Sequence, residues 1–132
     1  MAKVLVVDDD EDILGLVQLR LKRAGHQVMS AGSATAALEL IDERGAPDVA
    51  VLDVGLPGMD GLQLLGAIRA REGMVAMPAV FLSARVMPED VQKGRDMGAT
   101  YLTKPFVASA LLGAVDKALE EAAVQAADPG GW

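Results

Sequence analysis

The chain has 132 residues, of which 52% are hydrophobic and 23% charged, enough for one globular domain with its own core. Its 12 basic and 19 acidic residues give a net charge of -7, which argues against direct nucleic-acid binding by this chain, because a duplex-binding face must neutralise phosphates. It has no cysteines, which excludes disulfides, thiol chemistry and cysteine-based metal sites.

The first half of the chain alternates apolar runs with helical patterns. Residues 4–7 form an unbroken aliphatic run, typical of a parallel strand covered on both faces. Apolar residues then recur at intervals of three and four, which predicts a helix ending at Gly25. A weaker strand at 27–30 precedes a helix that starts after a cap at Ser33 and ends near residue 45, and the apolar run 49–52 predicts a third strand.

The second half repeats this alternation. Asp60 is a good N-cap for a third helix, and the run 79–82 predicts a fourth strand. A weaker helix is expected over 88–97, followed by a weak strand at 101–103 and a last helix from about residue 107. Five strands alternating with five helices predict an α/β domain, a doubly wound five-stranded parallel sheet with helices on both sides.

The ends of the chain lead to two further expectations. We expect the domain to span residues 1–122 and residues 123–132 to form a flexible C-terminal tail. The N-terminal apolar stretch is too short for a signal peptide, and no segment approaches the length of a membrane span. The sequence thus favours a soluble, cytoplasmic protein with no membrane association.

Chemically useful side chains follow the strands at their carboxyl ends. Asp8 and Asp9 follow the first strand, Asp53 the third, Ser83 the fourth and Lys104 the fifth. In open α/β sheets, ligands bind outside the carboxyl ends of the strands. We therefore expect these five side chains to share one edge of the sheet.

A cluster of three carboxylates is tolerable if a cation occupies it or if one acid stays protonated. Oxygen ligands suit Mg²⁺ (or Mn²⁺), whereas a zinc or copper site is hard to build with no cysteine and His26 as the only histidine. A metal, an ammonium and a hydroxyl around a carboxylate suit a transferring phosphoryl group, and a carboxylate can itself be the nucleophile. Asp53 is the natural acceptor, because a glycine-rich loop at 54–61 can expose it.

Four motifs, in this order at strand ends, resemble the receiver domains of bacterial two-component response regulators. They lie at residues 4–10, 53–61, 83–84 and 101–106, and the resemblance covers roughly residues 3–122. It implies a flavodoxin-like fold and a phosphoryl group accepted on Asp53 from a phosphohistidine, on a sensor histidine kinase or a histidine phosphotransfer protein. Such a chain is no ordinary enzyme, although it assists its own phosphorylation and autodephosphorylation.

The resemblance also implies how the metal is held. Asp9 would bind Mg²⁺ directly, and Asp8 would act chiefly through metal-bound water. Asp53 and the backbone carbonyl of Gly55 would complete the ligands that the protein supplies.

Further roles follow from the same resemblance. Lys104 would pair with the phosphoryl oxygens and Ser83 would hydrogen-bond to them, while Ser83 and Tyr101 would form the conformational switch. The Lys104–Pro105 peptide bond should be cis. A downstream protein would dock on the face made by the fourth helix, fifth strand and fifth helix, and the resemblance leaves dimerisation on phosphorylation open.

The sequence departs from the family pattern at three places. Ser83 stands where threonine is commoner. Gly55, two residues after the acceptor, has no side chain to shield it from water, so Arg85 is expected to set much of the phosphoryl lifetime. The segment 98–101 is one residue shorter than the usual Gly-Ala-x-x-Tyr spacing, which weakens the case for Tyr101 as a switch residue.

Two rival functions stay open. One is a protein-binding module that keeps the fold but works without phosphorylation, which the complete set of acids and lysine argues against. The other is a phosphatase of the haloacid dehalogenase type, which would need a second acid where this chain has Gly55.

The acids at 10–12, which follow Asp8 and Asp9, are expected to be solvated residues at a helix start.

Overall fold

The structure is a computed structural model that describes residues 2–84 and 87–127, the last three as backbone only. Within these ranges five strands and five helices alternate, as predicted. The strands are β1 (Lys3–Val7), β2 (Gln27–Ala31), β3 (Val49–Asp53), β4 (Ala79–Ser83) and β5 (Thr100–Thr103). The helices are α1 (Glu11–Arg23), α2 (Ala34–Arg44), α3 (Gly61–Arg69), α4 (Pro88–Asp96) and α5 (Ala108–Ala127).

The strands form one parallel sheet in the order β2-β1-β3-β4-β5, which confirms the predicted doubly wound architecture. The chain moves from β1 to β2 on one side and returns to β3 on the other, so a crevice opens where the strand order reverses. In the sheet register, Asp53 pairs with Leu82 and Ser83 pairs with Thr103. The polar residues at the strand ends are thereby brought to one edge.

Each face of the sheet has its own apolar core. Along β1, Leu5 and Val7 pack towards α2 and α3, whereas Val4 and Val6 pack towards α1 and α5. Because both faces are covered, neighbouring residues of a strand are all buried, which explains the unbroken apolar runs in the sequence.

The helix ends follow the expected capping rules in most cases. The Ser33 hydroxyl accepts a hydrogen bond from the N–H of Ala36, and Asp60 forms a reciprocal capping box with Gln63. Helix α4 begins without a side-chain cap.

Helix α5 continues to Ala127, past residue 122 where the sequence predicts the domain to end. The rest of the predicted tail, 128–132, lies outside the described residues.

Among the described helices, none combines the length and the apolar character needed to cross a membrane.

Candidate functional site

Three acids meet at the carboxyl edge of the sheet. Asp8 and Asp9 directly follow β1, and Asp53 is the last residue of β3. One carboxylate oxygen from each lies within 4.8 Å of the others. Asp8 and Asp53 are buried, at 1% and 6% exposure, while Asp9 is exposed. Two of the three charges are thus largely removed from water.

Local hydrogen bonds fix the first of these acids. The Asp8 carboxylate accepts from the backbone N–H of Asp10 at 2.9 Å, which orients it at the start of the β1–α1 turn. The Asp10 carboxylate turns the other way and caps α1 by accepting from the N–H groups of Asp12 and Ile13. Asp10 therefore serves the helix start.

Lys104 supplies the cation that faces the acids. Its Nζ lies 2.8 Å from Asp8 Oδ2 and 3.3 Å from Asp53 Oδ1. A backbone hydrogen bond of 2.8 Å from the Lys104 N–H to the carbonyl of Ser83 holds the residue at the end of β5. The peptide bond from Lys104 to Pro105 is cis, as the resemblance implies.

Charge balance within the site leaves room for a further cation. Burial and the charge of Asp8 raise the pKa of Asp53, against the opposing effects of Lys104 and the Gly55 N–H. Burial alone would lower the pKa of Lys104, but its hydrogen bond to Asp8 and the charges of Asp53 and Asp8 outweigh this and raise it. Among the described residues, three carboxylates face one ammonium, so a divalent ion would balance their charge. An all-oxygen donor set suits Mg²⁺.

A recess of about 560 Å³ opens beside the Asp53 carboxylate. The buried Ser83 lies at its wall, and the backbone N–H of Gly55 donates to Asp53 Oδ1 at 3.2 Å. The lining also includes Asp90 of α4, which sequence reasoning missed because it lies in a weak helical pattern rather than at a strand end. Arg85, expected to set the phosphoryl lifetime, lies outside the described residues.

Gly61 allows α3 to start against the backbone of Asp53. A Cβ atom at this position would overlap the carbonyl group of Asp53. We expect Gly61→Ala to lower the free energy of unfolding by about 1 to 3 kcal/mol, as overpacking typically does. Urea unfolding would measure it. In Gly66→Ala, on the same helix with nothing within 4 Å of the new Cβ, stability should instead rise by up to about 1 kcal/mol. Equal effects of the two substitutions would contradict the close approach at Gly61.

Tyr101 does not line the recess beside Asp53. It pairs with Phe81 in the register of β4 and β5, and the two rings have centroids 6.1 Å apart at an interplanar angle of 52°. Its hydroxyl is buried and has no hydrogen-bond partner among the residues that the structure describes. A Cβ on Gly94 of α4 would lie 3.1 Å from the Tyr101 ring, so ring and helix are in close contact. The structure therefore brings the predicted site residues together, except for Tyr101.

The short segment before Tyr101 is accommodated at the end of α4. Gly98 adopts a positive φ of 72°, and the N–H of Ala99 donates to the carbonyl of Gly94 at 3.0 Å. β5 then starts at Thr100. On the outer side of Tyr101, α4, β5 and α5 enclose a groove of about 510 Å³, whose charged lining residues are Arg95, Lys117 and Glu121.

The sequence of the chain matches a known protein family. Residues 4–116 match the family model described as the response regulator receiver domain. The transcriptional regulatory protein KdpE of Mycobacterium tuberculosis is 41% identical over 107 residues, which are 80% of this chain and 46% of that protein. PhoP of Bacillus subtilis, an alkaline phosphatase synthesis transcriptional regulatory protein, is 40% identical over 79% of this chain and 42% of its own length. The chain thus spans about half the length of these curated relatives.

The chain also superposes on solved structures of similar proteins. The chemotaxis protein CheY4 of Vibrio cholerae superposes with a TM-score of 0.83 at 35% identity, over 90% of this chain and 99% of that one. A CheY-like receiver domain protein of Methanospirillum hungatei superposes with a TM-score of 0.81 at 29% identity, over 92% and 95% of the two chains. NtrX of Brucella abortus matches at a TM-score of 0.85 and 35% identity, but only 28% of that chain is covered.

Proposed function

Because the chain belongs to the response regulator receiver domain family, we propose that it accepts a phosphoryl group on Asp53 and changes conformation in response. The observation that carries this proposal is the position of Lys104, whose ammonium lies 2.8 Å from Asp8 and 3.3 Å from Asp53 within a cluster of three acids. The chain is a receiver domain, a signalling module of two-component response regulators.

The nucleophile is the Asp53 carboxylate. One of its oxygens attacks phosphorus, the bond from phosphorus to the donor's leaving atom breaks, and the leaving group departs with that electron pair and takes a proton from solvent. Lys104 and the hydroxyl of Ser83 stand beside the acceptor to stabilise charge on the phosphoryl oxygens. Burial of Asp53 supports this role, since electrostatic interactions are stronger where water is excluded.

The acid cluster fits a hard divalent cation. Asp8, Asp9, Asp53 and the carbonyl of Gly55 would hold Mg²⁺ or Mn²⁺. When bound, the ion would neutralise the excess negative charge and so allow an anionic phosphodonor to approach. This chain's own residues then orient the acceptor: the Gly55 N–H and the Lys104 ammonium both contact Asp53 Oδ1.

The proposed phosphodonor is a phosphohistidine, carried by a sensor histidine kinase or a histidine phosphotransfer protein.

For the output, the groove between α4, β5 and α5 is the proposed docking face for a downstream protein. Its lining carries charges of both signs, Arg95 and Lys117 on the basic side and Glu121 on the acidic side, so a partner with a mixed-charge surface suits it.

Labelling with a small phosphodonor tests the proposal directly. On incubation with acetyl phosphate and Mg²⁺, we expect one phosphoryl group per chain, mapped by mass spectrometry to the peptide that contains Asp53. Removal of the metal with EDTA should abolish the labelling, because the acid cluster then repels the anionic donor. Phosphate on another residue, or labelling that survives EDTA, would contradict the proposal.

Labelling, together with a beryllofluoride test and a phosphomonoester assay, separates the rival functions. A protein-binding module that works without phosphorylation would take up no label and would show no response to beryllofluoride. A phosphatase would release phosphate from a phosphomonoester over many cycles per protein molecule. A stable label in a ratio of one to one matches neither.

A further inference from the structure

Arg69, the last residue of α3, joins three elements through its guanidinium. Its Nε and Nη2 donate to the carbonyl of Met77, just before β4, at 3.2 and 2.8 Å. Its Nη1 donates to the carbonyl of Met97, the C-cap residue of α4, at 2.6 Å. Among the residues that the structure describes, no carboxylate pairs with Arg69, so carbonyl oxygens alone satisfy the charge.

The end of α4 is a favourable place for this cation. The last carbonyls of a helix carry partial negative charge, and a guanidinium nearby stabilises the helix end. The planar, forked group of Arg69 reaches two separate carbonyls at once, which a lysine ammonium on a flexible stem does less well. The contact therefore fixes the end of α4 relative to the start of β4.

This fixed point lies four residues before Tyr101 in the sequence. Met97 is followed by the tight turn at Gly98, and β5 begins at Thr100. Since this connection is one residue shorter than the family pattern, a shift of the α4 end would be transmitted to Tyr101 with little slack. The ring is already in close contact with α4 at Gly94.

Tyr101 is only partly buried as a residue, so its position needs such support. Its hydroxyl is buried and has no hydrogen-bond partner among the described residues, and an unpaired buried hydroxyl favours movement of the ring towards water. Packing against Phe81 and Gly94 opposes that movement only while α4 stays close.

We propose that Arg69 is a positioning residue that keeps α4 against the sheet and thereby holds the Tyr101 ring in its packed position against Phe81 and α4 before any phosphorylation. The link from this position to signalling rests on the proposed function, because Tyr101 is the aromatic half of the proposed switch. The effect of Arg69 on the position of the Tyr101 ring does not depend on the proposed function.

A fluorine label on the ring tests this in the full chain. Tyr101 is the only tyrosine, so 3-fluorotyrosine reports on one residue by ¹⁹F NMR. We expect Arg69→Met to move the resonance towards that of the free amino acid and to increase the H₂O-to-D₂O shift at least twofold, with Arg69→Lys in between. The matched control is Arg71→Met, which removes a neighbouring arginine that binds Asp42 of α2 rather than α4. It should leave the resonance at the wild-type position.

Each outcome decides the proposal. A wild-type resonance in Arg69→Met, or an equal change in Arg71→Met, would overturn it. If Arg69→Met does not fold, Arg69→Lys decides in the same way, because it keeps the charge but not the two-carbonyl contact. Asp53 labelling should be equal in wild type and Arg69→Met, while the ¹⁹F response to beryllofluoride is reduced at least twofold in the variant. If even wild type takes no label, the proposed function fails, yet the resting ¹⁹F comparison of Arg69 and Arg71 variants still stands.

Discussion

Asp53→Asn is expected to abolish phosphoryl labelling and, in EDTA, to make the protein more stable. The substitution removes two repulsions, with Asp8 and Asp9, against one attraction, to Lys104. The net gain should be of the order of one such pair near a protein surface, about 1 to 4 kcal/mol. Urea unfolding in EDTA and mass spectrometry after acetyl phosphate treatment would measure the two effects.

The pH dependence of this gain has a defined sign. The pKa of Asp53 is raised in the folded protein by burial and by Asp8, so its ionised form disfavours folding. The stability difference between variant and wild type should be largest where Asp53 is ionised, and should shrink as pH falls through the raised pKa. Asp90→Asn is the control, because that acid lines the same recess. Loss of labelling in Asp90→Asn, or residual labelling in Asp53→Asn, would refute Asp53 as the acceptor.

Lys104→Met should have the largest destabilising effect in the site. Its side chain is only 13% exposed and contacts two buried carboxylates, which the variant leaves without their cation. We expect the free energy of unfolding in EDTA to fall by roughly 3 kcal/mol, the lower end of the range for breaking a buried pair. Labelling of Asp53 should slow on the order of 100-fold, because one group that stabilises the phosphoryl charge is lost.

Magnesium and pH distinguish this effect from a general packing defect. Mg²⁺ should stabilise Lys104→Met more than wild type, since the ion replaces part of the missing positive charge. The pKa of Lys104 is raised above its ordinary value of 10.5, so its stabilisation is fully present below that pH and is lost as pH rises through the folded value. Lys93→Met, which removes an exposed lysine of α4, should change stability by less than about 0.5 kcal/mol. A similar loss in both variants would argue against the charge explanation.

The sheet and the acid cluster were predictable because they rest on local patterns. Runs such as 49–52 are apolar at every position since both sheet faces are covered, and the rule that parallel strands share one carboxyl edge then gathers Asp8, Asp53 and Lys104. The caps at Ser33 and Asp60 follow from side chains that bond within three residues.

Features that depend on contacts away from the carboxyl ends of the strands were not predictable. Arg69 looks like an ordinary residue at a helix end, and its partner Met97 lies 28 positions further along. Gly61 could be suspected from its loop, but its approach to the Asp53 carbonyl needs the folded backbone. The continuation of α5 to Ala127 was also not predicted from the sequence, in which no glycine or proline marks a helix end at residue 122.

The contact of Lys104 with Asp8 joins residues 96 positions apart, at the ends of β5 and β1, which β3 and β4 separate in the sheet. Both partners reach each other only when every strand between them is in place, so an incompletely assembled sheet keeps its acids apart from their lysine. The acids that would hold an ion lie at the ends of β1 and β3, so the proposed metal site needs those two neighbouring strands and not β5. By mass action, Mg²⁺ would then stabilise every form of the chain in which β1 and β3 are paired, including one whose β5 edge is open.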